Sequence, residues 1–206
     1  MLRARRAPCA EGSSADGAAP DLLAAKLTNT HLVEPLAIGD ALVGLSGLYA
    51  IINAIRLAVA HKRHLTEGEV YMLMAVAFDF VSGRLTPKQA FQSGCRLSLW
   101  RAMAAAIIEA ARQRLRLNLG VEQLCLECSS REQAFLVIQA AIERWQPVLM
   151  LCRGGRYTVV SGFTPASLLL FDSDACWLSK HACGVPGDSE SARHLLIPGS
   201  LTALQA

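Results

Sequence analysis

The chain has 206 residues, 52% of them hydrophobic and 18% charged, with a mean hydropathy of +0.32. That balance fits one globular domain of ordinary size and excludes a disordered polar protein. Twenty basic and 17 acidic residues leave a net charge of +3, too small and too evenly spread for a nucleic-acid-binding surface.

Residues 1–20 read as a disordered tail and 21–206 as a single domain. The opening MLRARRAPCAEGSSADGAAP is basic, but small and polar residues follow where a secretory signal needs an apolar core. Glu11 and Asp16 count against an organelle transit peptide. The excess of Arg over Lys, 16 to 4, fits coding bias and is not read as phosphate recognition. Seven cysteines, at 9, 95, 125, 128, 152, 176 and 183, are an odd number without a signal peptide. They predict free thiols in a reducing cytoplasm.

The most apolar window, ALVGLSGLYAIINAIRLAVA at 41–60, has the length of a membrane span. Asn53 and Arg56 lie inside it, and an Arg near the centre of a membrane helix costs roughly 2.5–3.5 kcal/mol. Gly44 and Gly47 weaken the start further. The window therefore predicts a buried helix of a non-membrane domain from Gly47 to Lys62, with Ser46 as its N-cap. A second helix is expected over Glu67–Ser82 behind the cap residue Thr66, and a short third opens at Thr86-Pro87. An Ala-rich helix follows over Leu97–Leu115. Ser129-Ser130-Arg131-Glu132 matches a capping box ahead of the apolar run Ala134–Trp145. After Trp145 the pattern changes to short β-rich runs at 147–152, 157–163 and 167–171, separated by Gly154-Gly155 and Thr164-Pro165. They read as an antiparallel meander, so the fold class is α+β.

Two segments, GLSGLYAIINAIRLA (44–58) and RYTVVSGFTPASLLLFDSD (156–174), together resemble the papain-like cysteine peptidase superfamily. Within it they are most similar to the bacterial double-glycine (bacteriocin-processing type) peptidases and their stand-alone relatives. In that family a Cys-Gly opens the central helix, a His followed by an aromatic starts a strand, and an Asp ends the next strand. A Gln shortly before the nucleophile holds the oxyanion. The resemblance places Ser46 at the nucleophile position, Arg156 at the general-base position before Tyr157, Asp172 at the orienting-acid position and Asp40 on the oxyanion side. Only Asp172 keeps the family's residue type. The resemblance thus implies a papain-like domain with degenerate catalytic residues, and the family includes members that bind export substrates without cutting them.

The chemistry agrees with that degeneracy. A helix amino terminus favours a thiolate and an oxyanion, but a serine hydroxyl there needs a neighbouring base, and a guanidinium does not accept a proton. Arg156 and Asp172 are expected to face each other across an antiparallel pair as a bidentate ion pair. Other readings stay open. Ser46, Asp172 and His194 occur in the chain order of an α/β-hydrolase triad, although the second glycine of the nucleophile elbow is displaced. Cys95 ahead of the 97–115 helix is a possible displaced nucleophile. Cys125-x-x-Cys128 suggests zinc only if Cys152, Cys176 or Cys183 joins it, and small buried hydrophobes are the simpler reading. Of the histidines at 31, 61, 64, 181 and 194, none stands where a catalytic base would open a strand. His61 to His64 form a solvated basic helix end, and Arg112, Arg114 and Arg116 scatter around their helix.

The sequence therefore leads to a cytoplasmic, non-catalytic peptidase-like domain that binds peptide or protein in the old cleft. It implies no cofactor, no metal, no nucleic acid and no transmembrane segment. The competing expectations are an active hydrolase using Ser46 or a displaced cysteine, and a structural partner domain in a multiprotein assembly.

Overall fold

The computed structural model describes residues 26–27, 33–36, 45–86, 96–125, 128, 130–152, 156–171, 177–180, 183–186 and 194–206. The expected tail, the body of the short helix after Thr86, and Asp40, Cys95 and Asp172 lie outside the described residues. Four helices are described: α1 (Ser46–Val59), α2 (Glu67–Ser82), α3 (Leu97–Leu115) and α4 (Arg131–Glu143). The strands are β1 (Lys26–Leu27), β2 (Gly120–Gln123), β3 (Val148–Cys152), β4 (Arg156–Phe163), β5 (Ser167–Leu170), β6 (Trp177–Ser179), β7 (Cys183–Gly184), β8 (His194–Leu195) and β9 (Thr202–Gln205). The fold is α+β.

The main sheet runs β2-β9-β3-β4-β5-β6, with β1 paired to the end of β4, and every pairing in it is antiparallel. The meander expected after Trp145 is its centre. β7 and β8 form a separate parallel pair. Successive side chains of a strand point to opposite faces, and here each face is apolar. Leu149, Tyr157, Val159 and Leu204 pack with α1, α2 and α3, whereas Val148, Met150, Val160 and Ala203 pack with α4. Strands covered on both sides explain why 148–152 reads as a continuous apolar run rather than an alternation.

α1 is buried almost all round: only Tyr49 and Arg56 among its residues are partly accessible. It lies on β3, β4 and β9, with α2 and α3 over its remaining sides. Asn53 and Arg56, in its body, are both engaged. Asn53 Oδ1 accepts the Leu36 amide at 2.9 Å and Arg56 Nη1 at 3.2 Å, while the same Nη1 donates to the Glu34 carbonyl at 2.7 Å. Burial lowers the Arg56 pKa, opposed by the nearby Glu34 charge. The residues that argued against a membrane helix thus fasten the 33–36 segment to the core.

The N-caps of α2 and α4 follow the expected chemistry, and two bounds shift. Thr66 accepts the Glu69 amide and Glu69 reaches back to the Thr66 amide, a complete capping box. α4 is capped by Ser130 through the Gln133 amide, one residue later than expected. α1 ends at Val59 instead of Lys62, and residues 60–62 form a turn.

Replacing Asn53 by Ala leaves the Leu36 amide and the Arg56 guanidinium short of an acceptor in a largely apolar setting. A loss of ~1–3 kcal/mol is expected in urea unfolding, and an unchanged midpoint would show that the 33–36 segment does not depend on this residue.

Candidate functional site

The amino end of α1 meets the beginning of β4, and this junction brings two of the sequence-derived positions together. Ser46 is the first residue of α1 and only 5% exposed. Its side chain does not cap the helix, because the cap position belongs to Leu45 and carries no side-chain hydrogen bond. The expected N-cap role is therefore incorrect. Ser46 Oγ instead accepts the backbone N–H of Tyr157 at 3.3 Å, across 111 residues of sequence. Arg156, immediately before Tyr157, opens β4 opposite Cys152 and is partly buried.

Two aromatic rings close this junction. Trp100, near the start of α3, donates its indole N–H to the Gly47 carbonyl at 3.0 Å. Its ring stacks on Tyr157 with centroids 4.6 Å apart and an interplanar angle of 18°. Gly47 makes the approach possible, since a Cβ there would meet Trp100 Cδ1 at 2.7 Å and Tyr157 Cδ2 at 3.1 Å. Both rings are buried. A lone Trp in an Ala-rich helix gave no sign of this role, although the Ser-Gly pair that receives it stood in the first motif.

The triad alternative gains no support from the described contacts. No imidazole among the described residues hydrogen-bonds Ser46. His194 does open a strand, contrary to expectation, but that strand is β8, paired with β7 rather than with the main sheet.

The cysteines depart from the expectation of free thiols. Cys125 and Cys128 are joined by a disulfide, their Cα atoms 6.1 Å apart, within the reach such a bridge requires. Cys152 and Cys183 form no disulfide among the described residues and are buried, and both pack with Cys128 on the α4 side of the sheet. Burial, with a smaller contribution from Cys152, pushes the Cys183 thiol up to about 12, so it stays protonated and inert at neutral pH. Among the described residues no group of three or more His, Cys, Asp or Glu could hold a metal ion.

A groove of about 520 Å³ runs from Trp100 along α3 to β2. Ala104, Ile108 and Leu149 contribute to its apolar floor, Val121 and Gln123 its far wall, and Arg101, Glu109 and Arg112 its charged rim. β2 is an edge of the sheet among the described residues. The Leu124 amide bonds to the Leu201 carbonyl, so in this register Gly120 and Glu122 face β9 and the amides of Val121 and Gln123 point outward. Val121 is also among the most exposed large apolar residues described.

Among the described residues, no helix is long and apolar enough to cross a membrane. No family model matches the chain, and neither a curated protein nor a solved structure gives a significant match.

Gly47→Ala tests the aromatic closure. The added methyl must displace Trp100, with an expected loss of ~1–3 kcal/mol and a red shift of tryptophan emission as the ring meets water. Unchanged stability and emission would mean that Trp100 does not close on α1.

Proposed function

We propose that the chain is a non-catalytic papain-like domain, akin to the double-glycine peptidases, that binds a peptide segment without cutting it. The observation that carries this reading is the state of Ser46: a buried hydroxyl engaged by the Tyr157 amide, beside a Gly47 that Trp100 and Tyr157 close upon, with an arginine next in line where a base would be needed. The meeting of α1 and the start of β4 at this point supports the alignment of the two motifs. In this reading Arg156 binds Asp172, filling the place of an imidazole and neutralising the acid that would orient it.

With the old nucleophile position sealed, binding moves to the groove that starts on the other side of Trp100. The outward amides of β2 suit an extended backbone added as a further antiparallel strand. The floor suits an apolar side chain, and Arg101 and Arg112 against the single Glu109 suit an acidic residue beside it. Peptide is thus the ligand class, and the domain recognises it by strand addition.

Two experiments test the two halves of this reading. For the dead site, Ser46→Ala is expected to leave background hydrolysis of a fluorogenic peptide library unchanged. If the Arg156–Asp172 pair is desolvated, Asp172→Asn should cost ~3–5 kcal/mol, non-additively with Arg156→Gln, because an uncompensated charge is left behind. A drop in hydrolysis would revive the hydrolase, and strictly additive losses would separate the two residues.

For the groove, peptides selected from a random display library against the intact chain should lose binding to Ala105→Arg, which fills the groove, and to Val121→Pro. The latter removes an outward amide while leaving the β2–β9 ladder intact. Selected peptides that bind both variants as well as the parent would overturn the groove assignment.

A further inference from the structure

The opposite end of α1 borders a second concavity that the peptide reading does not use. A 14-residue helix is about 20 Å long, so this end is well removed from Ser46. A pocket of about 480 Å³ is lined there by His61, Arg144, Trp145, Gln146 and Gln205, with Ala58 of α1 among the lining residues.

Trp145 is the unusual member. α4 ends in a Schellman motif: the Trp145 amide bonds to the Ile142 carbonyl at 2.9 Å and the Gln146 amide to the Ala141 carbonyl at 3.1 Å. The residue in Trp145's place in such a motif adopts the left-handed conformation and is usually glycine. Trp145 holds it at φ 63°, and the residue is 60% exposed. A bulky residue pays conformational strain there that glycine avoids, and this ring returns little of it through burial.

The polar groups beside the ring are already ordered. Arg144 Nη2 donates to Glu122 Oε2 at 2.9 Å, and Arg144 Nε and Nη2 both donate to Gln146 Oε1, at 3.2 and 2.9 Å. Gln146 Nε2 in turn donates to Gln205 Oε1 at 3.5 Å. The Gln205 amide nitrogen and the exposed His61 ring have no hydrogen-bond partner among the described residues.

We infer that this pocket binds a neutral sugar, with one pyranose ring stacked on Trp145. The flat indole matches the C–H face of a pyranose, and carboxamide and imidazole groups both donate and accept, as ring hydroxyls do. Charge selects against the nearest competitor. The Arg144 guanidinium is matched by Glu122, so the phosphate of a nucleotide finds no uncompensated cation to offset its desolvation. Gln205 Nε2, His61 and the remaining Arg144 N–H groups are the donors for hydroxyls, and a pocket of this volume admits a disaccharide.

The test is ¹⁹F NMR of the intact chain labelled with 5-fluorotryptophan, which has three tryptophans, at 100, 145 and 177. Cellobiose, maltose and N,N′-diacetylchitobiose are titrated separately, with AMP as the anionic aromatic comparator. The expected result is a saturable shift of the Trp145 resonance by at least one disaccharide, with the other two resonances unmoved. Gln205→Ala should weaken that binding about tenfold. Trp145→Gly, which suits the left-handed position, should keep its Tm within ~5 °C of the parent and lose the binding in calorimetry. The inference fails if no disaccharide moves the Trp145 signal, if AMP moves it and the sugars do not, or if Trp145→Gly unfolds and so shows the ring to be a packing residue.

Discussion

A helix that is apolar on every side has no face to offer to water, and α1 imposes that constraint on the whole molecule. Leu48, Ile51, Ile52, Ile55 and Leu57 are all essentially inaccessible, and burying each such side chain stabilises by ~1.5–3 kcal/mol. The sheet covers one side of α1, and α2 and α3 cover the others. The sheet must then be apolar on its α1 face, and its opposite face is covered in turn by α4. The arrangement of layers follows from one helix that cannot lie at the surface. Asn53 and Arg56 are tolerated in it because each is met by backbone groups of the 33–36 segment.

The junction at Ser46 shows how a favourable electrostatic position can be put out of use by packing. Free amides at a helix start favour negative charge, and a nucleophile there would gain from them if solvent and substrate reached it. Ser46 is itself buried, Trp100 and Tyr157 pack at the neighbouring Gly47, and the small residue at 47 is what lets the indole come so near. The buried hydroxyl links a helix to a strand.

The legible parts of this fold were those with long, strongly patterned signals. α1, α2, α3 and the three central strands follow from apolar periodicity, caps and glycine-rich turns. β2 and β9 escaped because GVEQ and TALQ are short and carry few β-branched or aromatic residues; their strand character comes from pairing with each other and with β3, which no local pattern reports. The Cys125–Cys128 bridge was misread for a related reason, since spacing alone does not distinguish two thiols from a linked pair until the loop geometry is known. The partner of the Ser46 hydroxyl lies 111 residues away, which its local motif does not report. The Trp145 pocket combines the ends of α1, α4 and β9, and its distinguishing mark is a backbone angle that a tryptophan rarely adopts.

The placement of β9 between β2 and β3 orders events during synthesis. Residues 202–205 leave the ribosome after every other described strand, yet they are internal to the sheet. Until they arrive, β2 has no neighbour in the sheet and β3 keeps one bare edge among the described residues. The nascent chain therefore carries two open strand edges next to apolar surface, a combination that invites pairing with other chains. Closure of the sheet is a long-range step that cannot finish before β9 is made.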